Sequence, residues 1–253
     1  MNISIQRSRI QTIVAGLLLA GVGAQAQMPG AGGPPGMSSA LTRLFGDINA
    51  FTAKADVQVV DGSQKEVAGM PMDFAMLDKK VRVEIDLTQA KSSSMPPGAA
   101  EQLNSMGMAQ VVSIVRPDKQ LVYVMYPKQK MMMSMPLPKT DADAAEKNSK
   151  IQKTPLGKEN LDGHPCVKNK VVITDEKGEN IEATTWNASD LKDFPVQIQT
   201  KEKENTSTIH FKNVQFTKPD AKLFELPTGY TEYKSPQELM TAMMKKMMES
   251  EKK

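Results

Sequence analysis

The chain has 253 residues, 40% of them apolar, with 32 Lys and Arg against 29 Asp and Glu, which suits one large domain or two small ones. The formal net charge is only +3 and the charges are interspersed, as in Lys201-Glu202-Lys203-Glu204, so there is no clustered basic face and nucleic acid is excluded as a partner. Cys166 is the only cysteine, which excludes an internal disulfide, and a chain of this length can bury a core without one.

Residues 1–26 read as a secretory signal peptide. Arg7 and Arg9 give a positive start, Ile13 to Val22 an apolar run, and Ala24-Gln25-Ala26 the small-x-small pattern that signal peptidase accepts. That run is shorter than the roughly 20 residues a membrane-crossing helix needs. Gln27 follows the expected cleavage point, where lipid attachment would require cysteine. Cleavage after Ala26 would leave a soluble, periplasmic chain without a stable membrane anchor. In that oxidising compartment Cys166 is either buried and inert or pairs two chains.

Residues 27–37 are a Gly/Pro tract that reads as a flexible leader. Leu41, Leu44, Phe45, Ile48 and Phe51 then recur at helical spacing, with Ser38 or Ser39 as cap, and predict a short opening helix. After it the period becomes two. Met70, Met72, Phe74 and Met76 alternate with Pro71, Asp73 and Ala75, and Val81, Val83, Ile85 and Leu87 with Arg82, Glu84 and Asp86. Further strands are predicted near 110–116, 119–127, 129–135, 156–162, 165–175, 179–187, 194–203 and 206–217, joined by turns such as Asp162-Gly163. Such density of short links implies a large antiparallel meander.

Leu121 to Tyr126 is apolar on both faces, so its second face must be covered. Two interruptions are candidates: a helix from Ala99 to Met106, and a short polar helix within 139–150. The C-terminus gives the strongest helix pattern. Ser235 caps it, Pro236 opens it, Glu238 completes a Ser-x-x-Glu box, and Leu239, Met240, Met243, Met244, Met247 and Met248 form one apolar stripe.

Methionine is the compositional anomaly, 19 residues against 7 Phe, 4 Tyr and 1 Trp, gathered around 70–76, 131–135 and 240–248. Three readings stand: core filling, an adaptable apolar binding surface, and Cu(I) coordination by soft thioethers. Met131, Met133 and Met135 share one strand face, where three sulfurs could converge. No motif for catalysis is present; His164-Pro165-Cys166 puts thiol and imidazole on one face, but with no third orienting group. No catalytic residue, metal ligand set or cofactor is assigned. Trp186 reads as a packing anchor or a rim residue.

Leu156 to Lys168 (Leu-Gly-Lys-Glu-Asn-Leu-Asp-Gly-His-Pro-Cys-Val-Lys) is similar to a hairpin of bacterial exported proteins of the lipoprotein-localisation (LolA-like) superfamily, and resembles more closely an uncharacterised secreted branch of it. Thr185 to Leu191, Phe194-Pro195-Val196 and Phe224 to Tyr230 continue the match, which covers about 150–233. The resemblance implies an α+β fold: an opening helix, a strongly curved antiparallel half-barrel of about ten or eleven strands over 38–233, and inserted lid helices, with the Met-rich helix of 234–253 as an addition. It also implies an apolar ligand, a lipid or acyl chain, held between sheet and lid. Arg43, Arg82 and Arg116 do not match the lid-latching arginine of the lipoprotein carrier.

The reading that follows is an exported, non-enzymatic binding protein. Its expected apolar lining is Met72, Phe74, Met76, Met131, Met133, Met135, Met243 and Met247. The alternatives are a copper-binding protein, or an envelope assembly module that docks a partner protein through its terminal helix.

Overall fold

In the computed structural model the described residues are 41–93, 95–137, 150–174 and 180–250, without the side chains of Leu41, Glu202, Pro236 and 247–250. The expected signal peptide, the leader and, but for Lys150, the polar helix expected within 139–150 lie outside them.

Alternation of apolar and polar residues produces the strands, and these form one open, curved sheet of thirteen. They are β1 (Ala50–Val60), β2 (Glu66–Leu77), β3 (Lys80–Asp86), β4 (Lys91–Ser92), β5 (Gln110–Arg116), β6 (Leu121–Tyr126) and β7 (Met131–Pro136), then β8 (Lys150–Leu161), β9 (His164–Thr174), β10 (Asn180–Ala188), β11 (Phe194–Glu202), β12 (Asn205–Gln215) and β13 (Thr231–Tyr233). The spatial order is β13-β7-β6-β5-β3-β2-β1-β12-β11-β10-β9-β8, with β4 beside β2. All pairs are antiparallel except β13 with β7. The chain thus runs outward from β1 to β7, reaches the opposite edge at β8, and returns to pair β12 with β1. Two half-sheets meet along that ladder. The α+β half-barrel implied by the resemblance is the architecture, with more strands than expected because β4 and β13 are too short to show a period.

The opening helix is one 3-10 turn, Leu41–Phe45. Gly46 adopts φ +59°, and its N–H bonds the Arg43 carbonyl at 3.1 Å, so the helical spacing of Ile48 and Phe51 is not used. Phe51 already belongs to β1. Phe45 drops onto the sheet, with ring centroids 4.8 Å from Phe51, 5.4 Å from Phe194 and 5.6 Å from Phe211. Phe74 stacks on Phe51 at 5.4 Å. This aromatic cluster joins β1, β2, β11 and β12 into one core; each such ring contributes about 150–250 Å² of buried surface.

Two helices cover the outer part of the first half-sheet: α1 (Ala99–Ser105) and α2 (Pro236–Ser250). The predicted cap of α2 forms: Glu238 N–H donates to Ser235 Oγ at 3.2 Å, and the Glu238 carboxylate accepts from Lys234 N–H at 3.0 Å. The doubly apolar β6 is covered on both sides. Its Tyr123 and Met125 face Leu226 and Tyr230 of the segment before β13, together with Val112, Ile114 and Met132. Arg116, 5% exposed, holds that segment by donating to the Phe224 carbonyl (2.9 Å), Glu225 Oε2 (3.1 Å) and Asp118 Oδ2 (2.7 Å). Among the described residues, α1 and α2 therefore cover one face of β6 at Tyr126 and the chain before β13 covers the other.

Candidate functional site: a methionine cluster under two helices

The expected lining residues divide between two places on one sheet face. Cross-strand pairing runs Phe74–Val83–Ser113–Val124–Met133, so β2 and β7 present the same face four strand spacings apart, roughly 19 Å. Met72, Phe74 and Met76 are buried in the aromatic core. Met131, Met133 and Met243 are buried in a second cluster, and the half-buried Met135 packs against it. Met247 lies on α2, but its side chain is outside the described residues. The seven described residues therefore fall in two clusters on one face of the sheet.

The second cluster draws on four parts of the chain. Met131 (1% exposed) and Met133 come from β7, Leu103 from α1, Met108 from the loop after it, and Leu239 and Met243 from α2. Met106, Tyr126, Tyr233 and Leu87 pack around them. Leu239 and Met243 lie four residues apart, so one helical face meets the strand. The cluster is tied at its rim by polar contacts: the Gln129 side-chain amide donates to the Met106 carbonyl, and Lys246 Nζ donates to the Gln129 carbonyl at 3.1 Å. Gly107, at φ +67°, lets the end of α1 pass close to Gln129, whose amide nitrogen would lie 3.0 Å from an added Cβ. Burial raises the Tyr126 phenol above its ordinary pKa of 10.0.

Met108, Leu103 and Leu239, with Met106 and Tyr126 packed against them, are cluster members that sequence reasoning did not assign to the site. Met106 and Met108 belong to the insertion expected to act as cover, so position in an inserted, apolar-ended helix was the signal available. Side chains of this kind are unbranched and polarizable, and they repack around guests more readily than rings do.

The other chemically interesting residues are spent locally. His164 Nδ1 pairs with Asp190 Oδ2 at 2.7 Å. The Cys166 thiol, 3% exposed, donates to the His164 carbonyl at 3.4 Å rather than meeting the imidazole, and burial pushes its pKa up, away from a nucleophilic thiolate. Trp186 Nε1 donates to Glu159 Oε1 at 2.6 Å, with Lys168 Nζ 4.7 Å from the ring, the geometry of a packing anchor. Among the described residues no group of three or more His, Cys, Asp or Glu is placed to hold a metal ion. Nor is any described helix long and apolar enough to cross a membrane.

A curved antiparallel sheet with helices packed on one face defines a half-barrel protein with a helical cover. The chain belongs to the family described as "Domain of unknown function (DUF4412)", whose model matches residues 62–194, just over half of the chain. No curated protein matches the sequence. Among solved structures it is similar to a LolA superfamily protein of Nitrosomonas europaea, at 8% identity over 77% of this chain and 98% of that one, with a TM-score of 0.40. It is similar also to lipoprotein LppX of Mycobacterium tuberculosis (11% identity, 70% and 91% covered, TM-score 0.38) and to LprF of Mycobacterium bovis (13%, 70% and 89%, 0.36).

Proposed function

We propose that the protein is an exported, non-enzymatic binding protein, periplasmic after loss of residues 1–26, which holds a lipid or acyl-type ligand between β7 and the helices above it. The observation that carries this is the convergence of Met108, Met131, Met133 and Met243 with Leu103 and Leu239 at a helix–sheet contact. A cover seated through flexible thioethers can shift and re-seat on an inserted chain at small packing cost, whereas the ring cluster of the other core cannot. Met131, Met133, Met135 and Met243 would line the opened site; Met72, Phe74 and Met76 would hold the aromatic core beside it on the same face.

The same thioethers support a second reading, Cu(I) held by soft sulfur. The terminal helix as a docking element for another protein requires α2 to leave its seat, because Leu239 and Met243 are buried within the chain. One comparison separates ligand from metal. Palmitate and anaerobic Cu(I) are titrated separately into the full-length mature chain, followed by native mass spectrometry. The proposal expects the Met133→Asp variant to bind one palmitate per chain fewer than the parent. Tight Cu(I) binding lost on changing Met131 and Met133 to leucine, without palmitate uptake, would replace it with the metal reading.

A further inference from the structure

The second half-sheet carries a cleft of about 640 Å³ that has nothing to do with the methionines. Its size falls in the roughly 300–1,000 Å³ range of small-molecule sites. On one side stands the opening segment, from Arg43 to Ala50; on the other stand β8, β9, β10 and the turn at Lys192-Asp193. Ile48, Val171 and Phe216 give it an apolar floor. Ile151, at the edge strand, is 42% exposed although it is large and apolar.

The polar wall is rigid. Asn187 Oδ1 accepts from Asn169 Nδ2 at 3.1 Å and from Thr185 Oγ1 at 2.7 Å, and Asn187 Nδ2 donates to the Asp193 carbonyl at 2.8 Å. All three side chains are buried, so this network fixes the wall.

The charges do not balance. Lys153 is paired with Asp193 at 2.8 Å. Lys192 Nζ lies 4.8 Å from the Phe216 ring centroid, with no carboxylate in an ion pair with it among the described residues. Arg43 is half-buried, and its Nη1 is a buried donor with no acceptor among the described residues. Asp47 is the other lining carboxylate. Three cations therefore line the cleft against two carboxylates. A desolvated guanidinium N–H without an acceptor is a strong demand for an anion, since such bonds are about twice as strong as neutral ones. Phe45 seats in the aromatic core two residues further on, so the backbone carrying Arg43 is pinned in place.

We infer that this cleft binds an anionic amphiphile, with its carboxylate or phosphate head at Arg43 and Lys192 and its apolar body on Ile48, Val171 and Phe216. The inference does not rest on the methionine cluster. It assigns a second site, on the other half-sheet.

Calorimetric titration of the mature chain with decanoate, decyl phosphate, decanol and inorganic phosphate tests it. The expected order has both anionic amphiphiles at least about tenfold tighter than decanol and than phosphate alone; which of the two is tighter distinguishes a fatty acid from a lipid phosphate as the source. Arg43→Gln should weaken the anionic ligands by about tenfold or more and leave decanol unchanged, Arg43→Lys should restore part of the loss, and Ile151→Asp should weaken all three amphiphiles. A thermal melt of each variant reports folding, and Arg43→Gln should leave the melting temperature near that of the parent, since Nη1 makes no bond among the described residues. Equal binding of decanoate and decanol, or decanoate binding indifferent to both Arg43 variants, overturns the inference. Decanoate binding lost in Met243→Asp but kept in Arg43→Gln also overturns it, and moves the ligand to the methionine cluster.

Discussion

The two halves of this sheet solve the same packing problem with different side chains. Where β1, β2, β11 and β12 meet, Phe45, Phe51, Phe74, Phe194 and Phe211 interlock, the closest centroids 4.8 to 5.6 Å apart. Rings have two stiff torsions and specific edge-to-face geometry, so that half is a fixed joint between the half-sheets. At β7 the cover is seated through Met108, Met131, Met133, Leu239 and Met243, and Gln129 and Lys246 tie its helices at the rim. One half holds the fold together; the other is composed to yield.

The largest expected effect belongs to the fixed half. Phe74→Ala removes a ring from the centre of the joint, and its cost should fall in the 3–5 kcal/mol range of buried Phe→Ala changes, read as a global shift in urea unfolding with an unchanged slope. That is a large fraction of the total stability of a domain. Met243→Ala opens a cavity at the cover, but the loss is capped by local undocking of α2. We expect about 2 kcal/mol, with amide exchange accelerated over 236–246 and unchanged in β1 and β12. If Met243→Ala instead lowers global stability as much as Phe74→Ala, the two halves are one cooperative core and the contrast fails.

Met133→Leu keeps volume and polarity, and should cost under about 1.5 kcal/mol by the same urea assay while narrowing the range of chain lengths bound. Smallest is the pH effect at Arg116. The guanidinium holds the Asp118 carboxyl below its ordinary pKa of 3.8. A depressed folded-state pKa gives stability that is full above the unfolded value and is lost as pH falls through the folded one. Acid unfolding below pH 4 should therefore be less steep in Asp118→Asn, and since that carboxylate is 48% exposed the difference should stay within about 0.2–1 kcal/mol.

Much of this architecture is legible from the sequence, for physical reasons that also mark where legibility stops. Val81, Val83 and Ile85 announce β3 because one face is dry and the other wet, and Ser235 with Glu238 announces α2 because orphan N–H groups need acceptors. The start of the domain misleads, since apolar residues at 41, 44, 45, 48 and 51 satisfy a helical period until Gly46 takes a left-handed conformation. β8 begins at Lys150, six residues before the expected 156, because Pro155 reads as a boundary; on an edge strand with a bulge between Pro155 and Gly157 it is tolerated. The Met131–Met135 strand reads correctly as a face of thioethers, but its partners come from residues 103 and 108, about 25 before it, and 239 and 243, over a hundred after it, and no local pattern encodes such contacts. The cleft at Arg43 is invisible for the same reason: Arg43, Lys153 and Lys192 are distant in the chain and meet only when β12 closes on β1.

The central claim is that the methionine half opens to take an apolar chain while the phenylalanine half stays shut. Amide hydrogen exchange of the mature chain, with and without saturating palmitate, tests it directly. The account predicts altered protection in 99–108, 131–136 and 236–246, with β1, β2, β11 and β12 unchanged. Protection changes confined to the phenylalanine half, or none anywhere at a palmitate concentration where mass spectrometry shows it bound, would contradict it.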